Sequence, residues 1–171
     1  MSSGQAMRKL TVSSVPLLLT AATGVFALAG GTASFLGWAA SVYRLTDWSG
    51  SGITMKPNAA LAAAVAGFAL LLSVKGAQRP VIRILGMFVA AIGGVTLLEH
   101  LTGWNVGIDT LLFDEAPGAL ATAAPGRMGP PASISFLAAG AALALSTASA
   151  RGRRWSVVLG IAVRALRALS L

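Results

Sequence analysis

Glu99 and His100 stand side by side where a charge-free stretch, 84–98, comes to its end. An ionisable pair at the edge of an apolar segment is a functional hypothesis by default, because such groups are costly in hydrocarbon. The chemistry it offers is sensing or ligand contact on one surface; the plain alternative is two side chains solvated at an interface. Neighbours on a helix do not face one another, so the two would not act as a direct pair. Other chemistry is poorly supplied. His100 is the sole histidine and cysteine is absent, which excludes disulfides, thiolate metal sites and a cysteine nucleophile. There is no Walker sequence, no HExxH and no serine–histidine–aspartate set. No catalytic residue, cofactor or metal is therefore expected within these residues.

The elements that must position this pair are apolar. The chain has 171 residues, is 56% hydrophobic and 11% charged, and has a mean hydropathy of +0.78. Soluble domains carry about 25% charged residues, so the solvent for most of this surface is lipid. Runs 10–43, 58–74, 84–98 and 131–150 hold no charged residue. A helix needs about 20 residues to cross the hydrocarbon core. The expectation is an all-α membrane protein with four transmembrane helices. A signal peptide is the competing reading of the first run, but that run far exceeds an apolar segment of about 7–15 residues. The net charge of +8 is spread between the runs and forms no continuous stripe, which argues against nucleic acid as a partner.

Basic residues fix the expected orientation. Arg8, Lys9, Lys75, Arg79, Arg83, Arg151, Arg153 and Arg154 fall on one side, against Arg44, Lys56 and Arg127 on the other. The positive-inside rule then places the N-terminus in the cytoplasm. All five acids, Asp47, Glu99, Asp109, Asp114 and Glu115, fall on the outward side.

The spans read as two tandem helix–loop–helix repeats. LTDW at 45–48 precedes MKPNAALAAAVAGFALLL from Met55; LTGW at 101–104 precedes MGPPASISFLAAGAALAL from Met128. Met55 pairs with Met128, Pro57 with Pro130, Gly67 with Gly140 and Leu70 with Leu143. Repeat one covers about 15–75 and repeat two about 81–150, within a membrane domain 13–150 that follows a cytoplasmic tail, 1–12. Ser13-Ser14 before Pro16 reads as the start of the first helix, and Asn58 as a cap for the second. Gly24 and Gly31, and Gly30 and Gly37, are seven apart and permit close helix contact. Trp48 and Trp104 suit the membrane interface. Six residues separate Trp48 from Met55 and 23 separate Trp104 from Met128, an insertion of 17 in the outward loop 103–130. Loops of that length are commonly functional or disordered; this one has the composition of a folded cap. The expected input surface is Trp48, Glu99, His100, Trp104 and Asp109 with that cap.

The last segment, WSVVLGIAVRALRALSL, differs. Its eight aliphatic residues favour insertion by about 2.4–4.8 kcal/mol, whereas Arg164 and Arg167 each oppose it by about 2.5–3.5 kcal/mol. The basic segment 151–171 is accordingly an amphipathic helix on the inner surface or a partial fifth span.

TLLEHLTGWNVGIDTLLF, followed by PGRMGPPASISFLAAGAALAL, resembles the N-terminal multi-spanning membrane region of bacterial PAS-containing sensor histidine kinases and diguanylate cyclases. Residues 96–99, 101–104, 107–109 and 125–128 carry the resemblance, with MKPNAAL at 55–61 as the earlier copy. It covers about 35–150; His100 stands where the family has tyrosine, and Pro131 where it has asparagine. The resemblance implies a sensory or anchoring module, here without its output domain. The lipid bilayer, a homodimer and a signalling protein are the implied partners; the ligand is unknown. A small transporter or channel subunit, or a structural membrane protein, is the competing expectation.

Overall fold

Prolines open three of the helices. The computed structural model describes residues 3–148 and 159–160, with side chains from residue 15 onward. Its helices are α1 (Ser3–Ala39), α2 (Tyr43–Thr46), α3 (Pro57–Val74), α4 (Arg79–Thr102) and α5 (Pro130–Ser146). Pro57, Pro80 and Pro130 occupy the first turn of α3, α4 and α5, where a missing N–H costs nothing. Pro16 does not: α1 begins at Ser3, so the helix starts earlier than the expected 13–16 and includes residues 3–12 of the expected tail. Gly103, at φ 73, ends α4, and its N–H bonds the Glu99 carbonyl.

The regular elements of the described residues are all helices, and no strand is among them. Three helices are long and apolar enough to cross a membrane: Val15–Ala39 within α1, α3 and α4. α5 is equally apolar but has 17 residues, about 26 Å of helix against a hydrocarbon core of about 30 Å. Large apolar side chains such as Phe26, Ile84 and Met87 point outward, as a lipid solvent allows. Apart from 159–160, the basic segment 151–171 lies outside the described residues.

Two hairpins, α1 with α3 and α4 with α5, use the same contacts. A Cβ on Gly31 would strike Ala60 O and Ala64 N; a Cβ on Gly93 would strike Ser133 O and Leu137 N. Gly67 lies against Gly24 O and Leu28 N, and Gly140 against Gly86 O and Ala90 N. The register is constant, 62 residues from α1 to α4 and 73 from α3 to α5. Close backbone approach through glycine is how helices gain dispersion contacts where no hydrophobic drive exists. The hairpins join along α3, where Ala59, Ala62, Ala66 and Ala69 pack on Val89, Ile92 and Leu143.

The two LTxW tetrads do not coincide in this register. Leu45-Thr46 ends the extra helix α2, whereas Leu101-Thr102 ends α4 itself. The residue that matches His100 is Trp38. Its Nε1–H donates to Met55 O at 2.8 Å, and His100 Nε2 meets Met128 O at the same 2.8 Å.

Candidate functional site

The loop between α4 and α5 folds back over both hairpins, and charge fastens it. Glu99, from the last turns of α4, is fully buried, and its Oε1 accepts the Val106 N–H at 2.7 Å. Arg127 Nε donates to Asp109 Oδ2 at 2.5 Å, and its Nη2 stands 3.5 Å from Glu99 Oε2. Asn58 Nδ2, from the first turn of α3, donates to Asp109 Oδ1 at 3.2 Å. All four side chains are buried, and buried charges persist where they are paired and hydrogen-bonded. The cluster sets two carboxylates against one guanidinium. Glu99 Oε2 has no hydrogen-bond donor, and neither has Thr96 Oγ1 a partner one turn below.

A second lock lies beside the first. Lys56 Nζ meets Glu115 Oε1 at 2.6 Å, with both side chains buried, and Thr54 Oγ1 donates to the same oxygen at 3.3 Å. Gly126 N–H donates to Glu115 Oε2 at 2.8 Å. Gly126 has φ 70, and a Cβ there would collide with Asp109 O, so this glycine serves both locks. Phe113 then reaches α1, edge-on to Phe35 at 5.4 Å and nearly parallel to Trp38 at 6.4 Å. Ile108 packs on the core around Met128. The cap thus belongs to the second hairpin in sequence and to the first by contact.

The expected input residues divide. Glu99 and Asp109 are interior and form one cluster, so they belong to the lock and not to the outward surface. His100 is half-buried and spends its Nε2–H on a carbonyl, since a carbonyl oxygen only accepts. Trp104 is exposed, and only its backbone N–H is bonded, to Thr102 Oγ1. Trp48 lies over Gly30 and edge-on to Phe26 at 6.4 Å, with its Nε1–H on Leu45 O at 2.6 Å. A cleft of about 390 Å³ opens there, lined by Phe26, Gly30, Ser34, Trp48, Ile53 and Met55. Met128 is a core side chain. Asn58 is not the cap of α3; with Pro57 as the first helical residue, Lys56 takes that place, and Asn58 is freed to hold Asp109.

Asp47 serves its own loop. Its carboxylate accepts N–H groups from Gly50, Ser51 and Gly52 and the Ser49 hydroxyl. These bonds, the one from Gly52 foremost, hold its carboxyl below the ordinary carboxylate range.

Arg127, Lys56, Glu115, Phe113 and Trp38 are the residues that sequence reasoning missed. A signal existed for the charged ones: three bases and five acids share the same alternate connections of an apolar chain, where unpaired charges are expensive. Among the described residues no group of three or more His, Cys, Asp or Glu is placed to hold a metal ion. No family model, curated protein or solved structure matches the chain.

Proposed function

We propose that the chain is the membrane-embedded sensory and anchoring module of a bacterial signalling protein of the histidine kinase or diguanylate cyclase type. It crosses the inner membrane four times, with the N-terminus in the cytoplasm and the cap outside. The observation that carries this reading is the cap, a folded outward segment tied by buried ion pairs to α3 and α4. The loop strings at 96–113 and 125–128, which resemble sensor membrane regions, support it as well. α5 serves as the fourth span because it repeats the role of α3 and lies along α4 through Gly86, Gly93 and Gly140. At the opposite end Arg83 Nε donates to Thr147 Oγ1 at 3.3 Å, so α4 and α5 are joined from cap to inner face. A change in the cap would then reach the cytoplasm as a small shift of this helix pair.

The test is to join the C-terminus to a diguanylate cyclase catalytic domain through linkers stepped over about four residues, one helical turn. Cyclic-dinucleotide output in cells is compared between the native chain and Arg127→Met. A severalfold change at one or more linker lengths is expected; identical output at every length, at equal membrane levels, removes the reading. Reporter fusions after Gly76 and Pro117 check sidedness, with cytoplasmic signal expected at the first and periplasmic at the second.

A further inference from the structure

Four of the five acidic side chains are held by the chain itself. Asp47 is bonded by its loop, Asp109 and Glu99 face Arg127, and Glu115 faces Lys56. Asp114 is different: among the described residues it has no hydrogen bond and no ion pair, and it is exposed. It lines a recess of about 270 Å³ between the end of α1, α2 and the cap. Trp38, Tyr43 and Phe113 make the aromatic part of that recess, with Gly37 and Ser41 beside them.

Two of the three aromatic walls are held in place, and the third, Tyr43, is exposed at the rim. Trp38 spends its indole N–H on Met55 O, and Phe113 is fixed by Phe35 on one side and Trp38 on the other. The nearby cations are turned elsewhere. Arg44 Nη1 comes within 3.3 Å of where a Cβ on Gly50 would sit, and Lys56 is committed to Glu115. What remains is a recess with three aromatic rings, one free carboxylate and no cation among the described residues.

Aromatic faces carry negative quadrupole charge, and rings grouped about a carboxylate attract a cation that sheds its water easily. An ammonium rich in N–H groups would need several acceptors there, and besides Asp114 the lining side chains offer only the Ser41, Tyr43 and Thr46 hydroxyls. A methylated ammonium has few or no N–H groups to satisfy. The volume lies below the about 300–1,000 Å³ of drug-sized sites, which suits a headgroup-sized ligand. We propose that this outward recess binds a small methylated organic cation, with Asp114 as its counter-ion and Trp38, Tyr43 and Phe113 as its aromatic walls.

The trimethylammonium group can come from a free solute such as choline or from a choline lipid headgroup; the chemistry at the recess is the same. As the input of a signalling module the recess rests on the function proposed above, but as a binding site it stands alone. Silent cyclase fusions would leave it intact, and absent binding would leave the fusion result intact.

The full chain is placed in phosphatidylglycerol nanodiscs, which contain no trimethylammonium, and titrated calorimetrically with tetramethylammonium, choline and the neutral isostere 3,3-dimethyl-1-butanol. Saturable binding of both cations is expected, with the isostere at least tenfold weaker. Asp114→Asn and Tyr43→Ala should each weaken the cations by about 3- to 30-fold, while Asp47→Asn leaves them unchanged. Asp114 has no partner to lose among the described residues, so its substitution keeps the fold. Nanodiscs of phosphatidylcholine identify the source: suppressed choline binding assigns the lipid headgroup, and undiminished binding assigns the free solute. Equal binding of the isostere, full affinity in Asp114→Asn, or no saturable binding of either cation overturns the proposal.

Discussion

Replacing Arg127 with methionine tests the cap directly. The guanidinium is 10% exposed, and it faces carboxylates that are 3% and 0% exposed. At an effective dielectric constant of about 20, contacts of 2.5 and 3.5 Å correspond to about 7 and 5 kcal/mol of attraction before desolvation is charged against them. The net quantity is smaller. Removing one member of a buried pair costs about 3–5 kcal/mol, because a charge is left buried without compensation. Here two are left, Glu99 and Asp109. If that cost falls on the cap, its opening becomes easier by about two to three and a half powers of ten. Hydrogen exchange of the full chain in nanodiscs reads this at the Val106 and Gly126 amides, which the two locks protect. Amides in the middle of α3 and α4 should keep their protection. The triple variant Arg127→Met, Glu99→Gln, Asp109→Asn carries no stranded charge and should recover most of the loss. Unchanged exchange at Val106 in the single variant, or a triple variant no better than the single, refutes the reasoning.

Two further outcomes follow from neighbouring geometry. Gly93→Ala should lower stability in detergent unfolding by about 1–3 kcal/mol, because its Cβ meets the backbone of α5; Gly94→Ala, whose Cβ meets only Leu137 Cδ1 at 3.4 Å, should stay near the native value. Asp47 has a depressed folded pKa, so its stabilisation of loop 47–52 is complete above the ordinary carboxylate value and is lost as pH falls through the depressed one. The Gly52 amide resonance should therefore move only in acid, and that movement should vanish in Asp47→Asn.

What the sequence reveals and what it hides have physical reasons. Charge-free runs reveal α1, α3, α4 and α5 because each is an unbroken apolar helix, and α1, α3 and α4 also have the length that crossing a bilayer requires. Met55, Pro57 and Gly67 locate their counterparts because proline at a helix start and glycine at a backbone contact tolerate few replacements. LTxW misleads, since a Leu-Thr helix end is a local signal that α2 and α4 use in different places. Glu99 and Asp109 are visible as unusual residues, but their partner Arg127 is 28 and 18 positions away, and no local pattern announces such a pairing. Trp38 hides for the opposite reason. It sits inside an apolar helix where an aromatic residue needs no explanation, and only the register of 62 pairs it with His100.

That register also explains why the acid and the long loop belong together. The position matching Glu99 in the first hairpin is Gly37, and the connection there is short. A Cβ on Gly37 would meet Leu45 and Thr46 side chains at 2.7 and 2.9 Å, so the returning chain fills the space itself. One turn earlier Ser34 gives its hydroxyl to Leu45 O, while its counterpart Thr96 has no partner. In the second hairpin the loop travels outward and supplies Val106 N–H and Arg127 to the space that Leu45 and Thr46 fill in the first. A carboxylate at position 37 would find neither donor. A cap without Glu99 would leave Arg127 to Asp109 alone and lose its ion pair with α4, keeping the His100 bond to Met128 O. The insertion and the buried acid are two parts of one device, and they fasten the 103–129 segment to α4.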